Sequence, residues 1–324
     1  MKIRTDHLIE QAAALYPFDA STLRLIHSTI YSPNDIYSFI KDNKEYILRI
    51  ATHDEDHTFK TTGEMEWLAF LHKRGISVSM PLPMSDGQLV SLLVSKNKYH
   101  DVCAFEKAHG THCDKNNPNT WNTDIVEDWG YTMGCMHRET KEFRNSDDCF
   151  RRGIFDGRDG LNDSLVLVPM IREFAHGLVS QLLALPRNKD TFGLIHSDFH
   201  LNNFFALNNK VHVFDFDDSW YGYFALDIGI VLHHALIWSV PDAIEMRQED
   251  AERTVLHFMK GYKKANKLDE QALKSILLFM WFRQLCNFGW ILKPDNQMPE
   301  EQHNLLNGYT IEGCRITDDI FTRE

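Results

Sequence analysis

The string HSDFHLNN, residues 196–203, places two histidines, an aspartate and two asparagines directly behind a short apolar run, Gly193-Leu194-Ile195. In an extended segment the side chains at 196, 198 and 200 share one face, which suits metal ligation by His196, Asp198 and His200. The same string suits a loop that offers a carboxylate base at Asp198 and a hard oxygen ligand for magnesium at Asn203. A second polar string, VHVFDFDD, follows at 211–218 and adds Asp215 and Asp217. NFFAL and VHVFDF alternate around Asn208-Asn209, and asparagine tolerates the positive φ of a tight hairpin. A hairpin there returns Asp215 toward Asn203. Clustered in this way, the residues meet the needs of phosphoryl transfer: Asn203 and Asp215 hold magnesium, and Asp198 orients the attacking hydroxyl. His196 then bonds backbone near the loop. A transition-metal hydrolase built on His196, Asp198 and His200 has no use for Asn203 and leaves DFDD without a role. A purely structural polar loop is the third reading.

The elements around these strings divide the chain. Residues 23–30, 35–40 and 44–50 are short β-type runs broken by YSPND and KDN, which predicts an antiparallel meander. TTGEMEWLAFLHKRG carries Trp67, Leu68 and Leu71 on a helical stripe and stops at Gly75. Strands follow at 88–94 and 99–105, joined by SKNK. From there the pattern is helical, over 121–140, 164–185, 224–240, 246–265 and 270–292. A small β-rich half followed by a larger helical half is an α+β arrangement. The split falls near 106–111, giving domains over 1–105 and 106–324.

Composition narrows the function classes. The 324 residues hold 34 Lys and Arg against 46 Asp and Glu, a formal charge of -12. A nucleic-acid binder needs a basic surface, so none is expected as a partner. Six scattered cysteines (103, 113, 135, 149, 286 and 314) include no C-x-x-C pair and read as reduced thiols of a cytoplasmic protein. The start, MKIRTDHLIEQAAALYPF, reads as an amphipathic helix without the apolar core of a signal peptide. FALDIGIVLHHALIWSV contains Asp227, His233 and His234, so it reads as a buried helix and not a membrane span.

HSDFHLNN followed by VHVFDFDD resembles the H-x-D-x4-N and D-F-D signatures of the aminoglycoside phosphotransferase and choline kinase-like superfamily, small-molecule kinases with a protein-kinase-like two-lobed fold. Other stretches resemble family segments in order, from about 24 to 292. EYILRI resembles the strand with the phosphate-binding basic residue, here Arg49 where lysine is usual, and Glu64 resembles its helix partner. VCAFEKAHG resembles the hinge that receives adenine, around Ala104, Phe105 and Glu106. YTMGCMHRETKEF resembles the helix after the hinge, and ALDIG the segment whose aspartate, Asp227, is structural. The resemblance implies ATP and Mg2+ as cofactors, Asp198 as the base, and Asn203 and Asp215 on the metal, with Asp217 supporting. The nucleotide-covering stretch HSTIYSPNDIYSF has no glycine, so phosphates must be met by backbone and side chains around Ser32 and Asn34.

These residues together point to an ATP- and Mg-dependent phosphotransferase acting on a hydroxyl of a small molecule. Two other readings stand beside it: a kinase fold that binds without catalysis, and a kinase for protein Ser/Thr. The chain reaches ALDIG so soon after DFDD that no protein-kinase activation segment fits between them. Acidic residues and the lack of a basic cluster beside the central motif point to an amine-bearing acceptor, aminoglycoside-, choline- or homoserine-like. The segment FMWFRQLCNFGW offers either an aromatic wall for a cation or, with Phe279, Phe282 and Phe288, core. HGTHC (His109, His112, Cys113) has no second Cys/His pair at zinc-finger spacing and reads as a satisfied loop. DDCFRRGIFDGRDG reads as a polar loop near the substrate.

Overall fold

The computed structural model describes residues 6–28, 32–144, 172–238, 248–291 and 318–322. These fall into two compact units, and the chain is α+β as its pattern predicts. Described residues up to His109, Phe143 and Arg144, and His212–Asp217 make the first unit; the others make the second.

The first unit opens with helix α1 (Asp6–Leu15), whose Leu8 and Ala12 are one helical turn apart and buried. Strands β1 (Arg24–Ser28), β2 (Asn34–Lys41) and β3 (Lys44–His53) form the predicted meander. Helix α2 (Thr58–Lys73) follows, then β4 (Ser91–Ser95) and β5 (Lys98–Glu106). The sheet order is β1-β2-β3-β5-β4, all antiparallel. Asp42 and Asn43 turn β2 into β3 with φ of 50° and 60°, and Lys96 and Asn97 turn β4 into β5 with 51° and 57°. Two successive positive φ angles match the twist of the flanking strands, which is why KDN and SKNK sit there. One face of the sheet closes on α1, where Tyr16, Phe39, Leu48, Ile50 and Val102 are buried and Phe18 stacks on Phe39 at 4.2 Å.

The second unit is mainly helical: α3 (Thr123–Thr140), α4 (Arg172–Leu183), α5 (Phe224–His233), α6 (Gln248–Ala265) and α7 (Glu270–Ile291). Between them in the chain lie β6 (Phe192–Ile195), β7 (Phe204–Leu207), β8 (Lys210–Val213), whose last two residues count with the first unit, and β9 (Trp220–Tyr223). Asn208 and Asn209, at φ 51° and 59°, make the predicted turn from β7 to β8. Helices α3 and α6 meet backbone to backbone: a Cβ on Gly130 would lie 1.9 Å from the Phe258 carbonyl, and one on Gly261 1.8 Å from that of Glu127. Trp129 of α3 fills the core beside them, touching Phe199, Phe204 and Phe258.

Two features depart from the sequence pattern. The helix expected over 224–240 changes pitch at His234 and continues as a π-turn, His234–Trp238. β6 pairs antiparallel with β9, a ladder of two four-residue strands whose alternation is too short to read. Residues 164–171 of the predicted fourth helix, the loop DDCFRRGIFDGRDG, Cys149 and Cys314 lie outside the described residues.

Candidate active site

In the second unit the chain leaves β6 at Ile195 and enters a braced loop. Asp227, at the start of α5, accepts the backbone N–H of His196 (3.1 Å) and of Ser197 (2.8 Å). Ser197 sits at φ 69°, an uncommon conformation for a residue with a side chain, and its hydroxyl accepts the Trp220 indole N–H at 2.9 Å. His137 of α3 approaches the same carboxylate, with Nε2 3.0 Å from Asp227 Oδ2, while its Nδ1 faces the Tyr262 hydroxyl at 2.9 Å. Burial pushes the His137 imidazole below its ordinary pKa, against the pull of Asp227. A neutral ring donating from Nε2 fits both contacts. Asp227 is therefore the structural aspartate that holds the loop.

Asp198 stands on that brace. Its backbone N–H reaches His196 Nδ1 at 3.3 Å, so the wholly buried His196 serves the loop and stacks on Phe199. The Asn203 side chain donates from Nδ2 to Asp198 Oδ2 at 3.0 Å and to the Asp198 carbonyl at 2.8 Å. His200 Nε2 lies 3.2 Å from Oδ2, and Arg283 Nη2 of α7 lies 3.6 Å from Oδ1. Burial raises the Asp198 carboxyl, but His200, Arg283 and His196 outweigh it and hold the pKa below the ordinary carboxylate value. The π-turn lays His234 on His200, with ring centroids 4.2 Å apart and planes 14° from parallel.

In the first unit Arg49 of β3 and Glu64 of α2 form a buried two-pronged pair, Nη1–Oε1 2.8 Å and Nη2–Oε2 2.5 Å. Burial pushes the Glu64 carboxyl up; in Arg49 it is outweighed by Cys103, Glu64 and Asp217, so the guanidinium stays charged. Arg49 Nε is buried without a hydrogen-bond partner among the described residues. The Ser32 hydroxyl accepts the Asn34 backbone N–H at 3.1 Å, and the Asn34 carboxamide donates to Asp217 at 2.7 Å. Asn34 thus straps the start of β2 to the DFDD string. Asp215 is exposed at φ 67°. At the end of β5 the Ala104 carbonyl accepts from Leu82 and the Glu106 N–H donates to Met80, both at 2.8 Å, and the Arg49 guanidinium lies over the Phe105 ring at 5.3 Å.

Sequence reasoning missed Arg283. The sequence shows no basic cluster beside the central motif, and the fold adds to that a cation, which α7 brings to Asp198. Its signal was a lone arginine inside FMWFRQLC, read there for its aromatics. Phe279 and Phe282 are core, and the Phe288 side chain lies outside the described residues. His112 packs edge-on against Phe205, and burial pushes the Cys113 thiol up to about 12. Among the described residues no three His, Cys, Asp or Glu side chains converge to hold a metal ion, which takes away the geometry for a His196-Asp198-His200 zinc site. No helix among them is long and apolar enough to cross a membrane.

Known proteins share this outline. Residues 32–262 match the family described as "Phosphotransferase enzyme family". The chain is 32% identical over 310 residues to the amicoumacin kinase of Bacillus subtilis (strain 168), covering 94% of this chain and 90% of that one. Among solved structures it is similar to "Amicoumacin kinase hAmiN in complex with AMP-PNP, Ca2+ and Ami", with TM-score 0.82 and 26% identity over 94% of this chain and 92% of that one. The fold is also that of a microcompartment-associated aminopropanol kinase, with TM-score 0.72 and 20% identity over 94% of each chain.

Proposed function

From the premise that this chain belongs to the phosphotransferase enzyme family, whose members phosphorylate hydroxyl groups of small molecules, we propose that it transfers the γ-phosphoryl group of ATP, with magnesium, using Asp198 as base. The observation that carries this reading is the unequal use of the Asp198 carboxylate. Asn203 engages Oδ2, and no described residue donates a hydrogen bond to Oδ1, the oxygen a hydroxyl needs. Asn203 spends its amide nitrogen on Asp198, so its own oxygen remains for a cation. We assign Asn203 and Asp215 to magnesium because each offers a hard oxygen of the kind that ion takes while keeping waters. The metal supplies charge neutralisation across the phosphates when bound.

The nucleotide is assigned to residues 1–105 and catalysis to 106–324. Arg49, held by Glu64, keeps a buried Nε–H that suits a phosphate oxygen. Ser32 and Asn34 shape the phosphate loop; with the Asn34 N–H on Ser32 and its carboxamide on Asp217, the Ser32 hydroxyl, which keeps its own proton to donate, is assigned to the phosphates. The Ala104 and Glu106 backbone groups are already engaged, so adenine recognition falls to the chain at and just after 104–106. Amicoumacin is the first acceptor to try, because the relative that bears that name aligns over nearly the whole chain.

The test is direct. Purified protein, MgATP and amicoumacin should release ADP and yield an acceptor heavier by one phosphoryl group. The signal should require Asp198 and magnesium. ADP release that persists unchanged in Asp198→Asn would refute the role given to Asp198.

A further inference from the structure

The two oxygens of Asp198 face different chemistry. Oδ2 accepts from Asn203 Nδ2 at 3.0 Å and has His200 Nε2 at 3.2 Å. His200 Nδ1 accepts the Asn202 backbone N–H at 3.1 Å, so a neutral ring carries its proton on Nε2, on the side of Oδ2. The stacked His234 limits the ring's freedom to turn away. Oδ1 is left for the acceptor hydroxyl, and its charged neighbour among the described residues is Arg283.

Arg283 is little used by the described residues. Its guanidinium carries five N–H donors. Among the described residues none makes a hydrogen bond, and its one acidic neighbour is Asp198 at 3.6 Å. About a third of the side chain is exposed, with the backbone anchored in the long helix α7. A hydroxyl that reaches Oδ1 at hydrogen-bond length sets the substituent on its own carbon, or on the next, against this guanidinium. An ammonium there meets a like charge a few ångströms away, worth roughly a tenfold penalty or more in a partly screened site. A carbonyl or carboxylate oxygen instead takes up donors that no described residue uses.

We propose that Arg283 is a specificity-determining residue that binds a carbonyl or carboxylate oxygen next to the hydroxyl activated by Asp198. The acceptor is then an α-hydroxy amide or α-hydroxy acid at its reacting end, and any amine it carries lies further off. The assignment rests on the phosphotransferase reading above and adds to it the chemistry beside the hydroxyl.

Three acceptors on one skeleton test it: 2-hydroxybutanamide, 2-hydroxybutanoate and 1-amino-2-butanol. ADP release with MgATP gives kcat/KM for each, on wild type and on Arg283→Lys, Arg283→Gln and Arg283→Glu. Wild type should favour the amide or the acid over the amino alcohol by about tenfold or more. Arg283→Lys should keep that order, Arg283→Gln should bring the three within about threefold, and Arg283→Glu should favour the amino alcohol. Since Arg283 also sits beside the base, a uniform fall in kcat is no support; the ratio between acceptors is the diagnostic. The proposal is overturned if wild type shows no preference for the amide or acid, including no turnover of any of the three, or if Arg283→Gln lowers all three equally. A thermal shift by MgATP, measured alongside, separates the two levels. Without nucleotide binding the phosphotransferase reading falls; with it and no acceptor preference, only the Arg283 assignment does.

Discussion

At the residue scale, the proposed function gives proton acceptance to Asp198 and metal holding to Asn203 and Asp215, so the two roles can be removed one at a time. Asp198→Asn keeps the shape and the contact with Asn203 but removes the base. Turnover should fall about 10²–10⁴-fold, the usual contribution of a positioned base, with nucleotide affinity nearly unchanged. Single-turnover phosphorylation alongside nucleotide titration reads both quantities. Asp215→Ala addresses the metal: magnesium-dependent nucleotide binding should be lost, while a zinc chelator leaves the wild type active. Activity that tracks stoichiometric zinc would contradict the magnesium assignment and return attention to the histidines of HSDFHLNN. Protonation of Asp198 should not limit the rate until well into the acid range, because its pKa lies below the ordinary carboxylate value.

At the element scale, the loop between β6 and β7 depends on α5 and α3. Asp227 collects two backbone N–H groups and approaches His137; Asp227, His137 and His196 are buried and Ser197 is partly so. Asp227→Ala leaves these donors without an acceptor and should cost about 3–5 kcal/mol, the range for breaking a buried charged contact. Denaturant unfolding measures that loss, and no change would mean that the loop stands without its brace. The crossing of α3 and α6 is a second such element. Gly261→Ala would drive a methyl group into the Glu127 carbonyl, and backbone cannot yield as a flexible side chain does. A loss of about 3 kcal/mol is expected, in the range of overpacked interiors, together with weaker turnover, because Trp129 on α3 donates its indole N–H to the Phe199 carbonyl inside the loop that carries Asp198, the proposed base.

At the scale of the whole molecule, acid sensitivity follows from buried imidazoles. Burial pushes His212 and His233 down to about 4 and His234 to about 3, and lowers His137. Each unfolded histidine takes its proton near pH 6.5, before the folded one does. The unfolded state therefore binds more protons in this window, and stability falls as pH drops from about 6.5 toward 4. For His233 alone the shift is worth about 3 kcal/mol once the window is crossed. Calorimetric Tm should decline steadily between pH 7 and 4.5, less steeply in His233→Gln. A flat Tm over that range would mean these rings are not held neutral.

Local chemistry explains what the sequence by itself determined. The turns at Asp42-Asn43, Lys96-Asn97 and Asn208-Asn209 are set by residues that accept positive φ, so the hairpins were legible. The α1, α2 and α3 helices follow from apolar spacing, and the string HSDFHLNN was legible as a candidate site from its residue types, which suit metal ligation as well as phosphoryl transfer. Arg49 and Glu64 were legible through their order along the chain, and the fold joins them as a buried pair. Tertiary structure alone decided the rest. No spacing rule links β6 to β9, or Arg283 to Asp198, because those neighbours are chosen by packing between segments far apart in the chain. The same holds for Asn34, whose carboxamide reads as a phosphate ligand until Asp217 claims it. The charge of the chain is a sum over 324 residues, whereas the charge at Asp198 depends on which helix passes within 4 Å. Screening makes the nearest groups dominate, and only the fold says which groups are nearest.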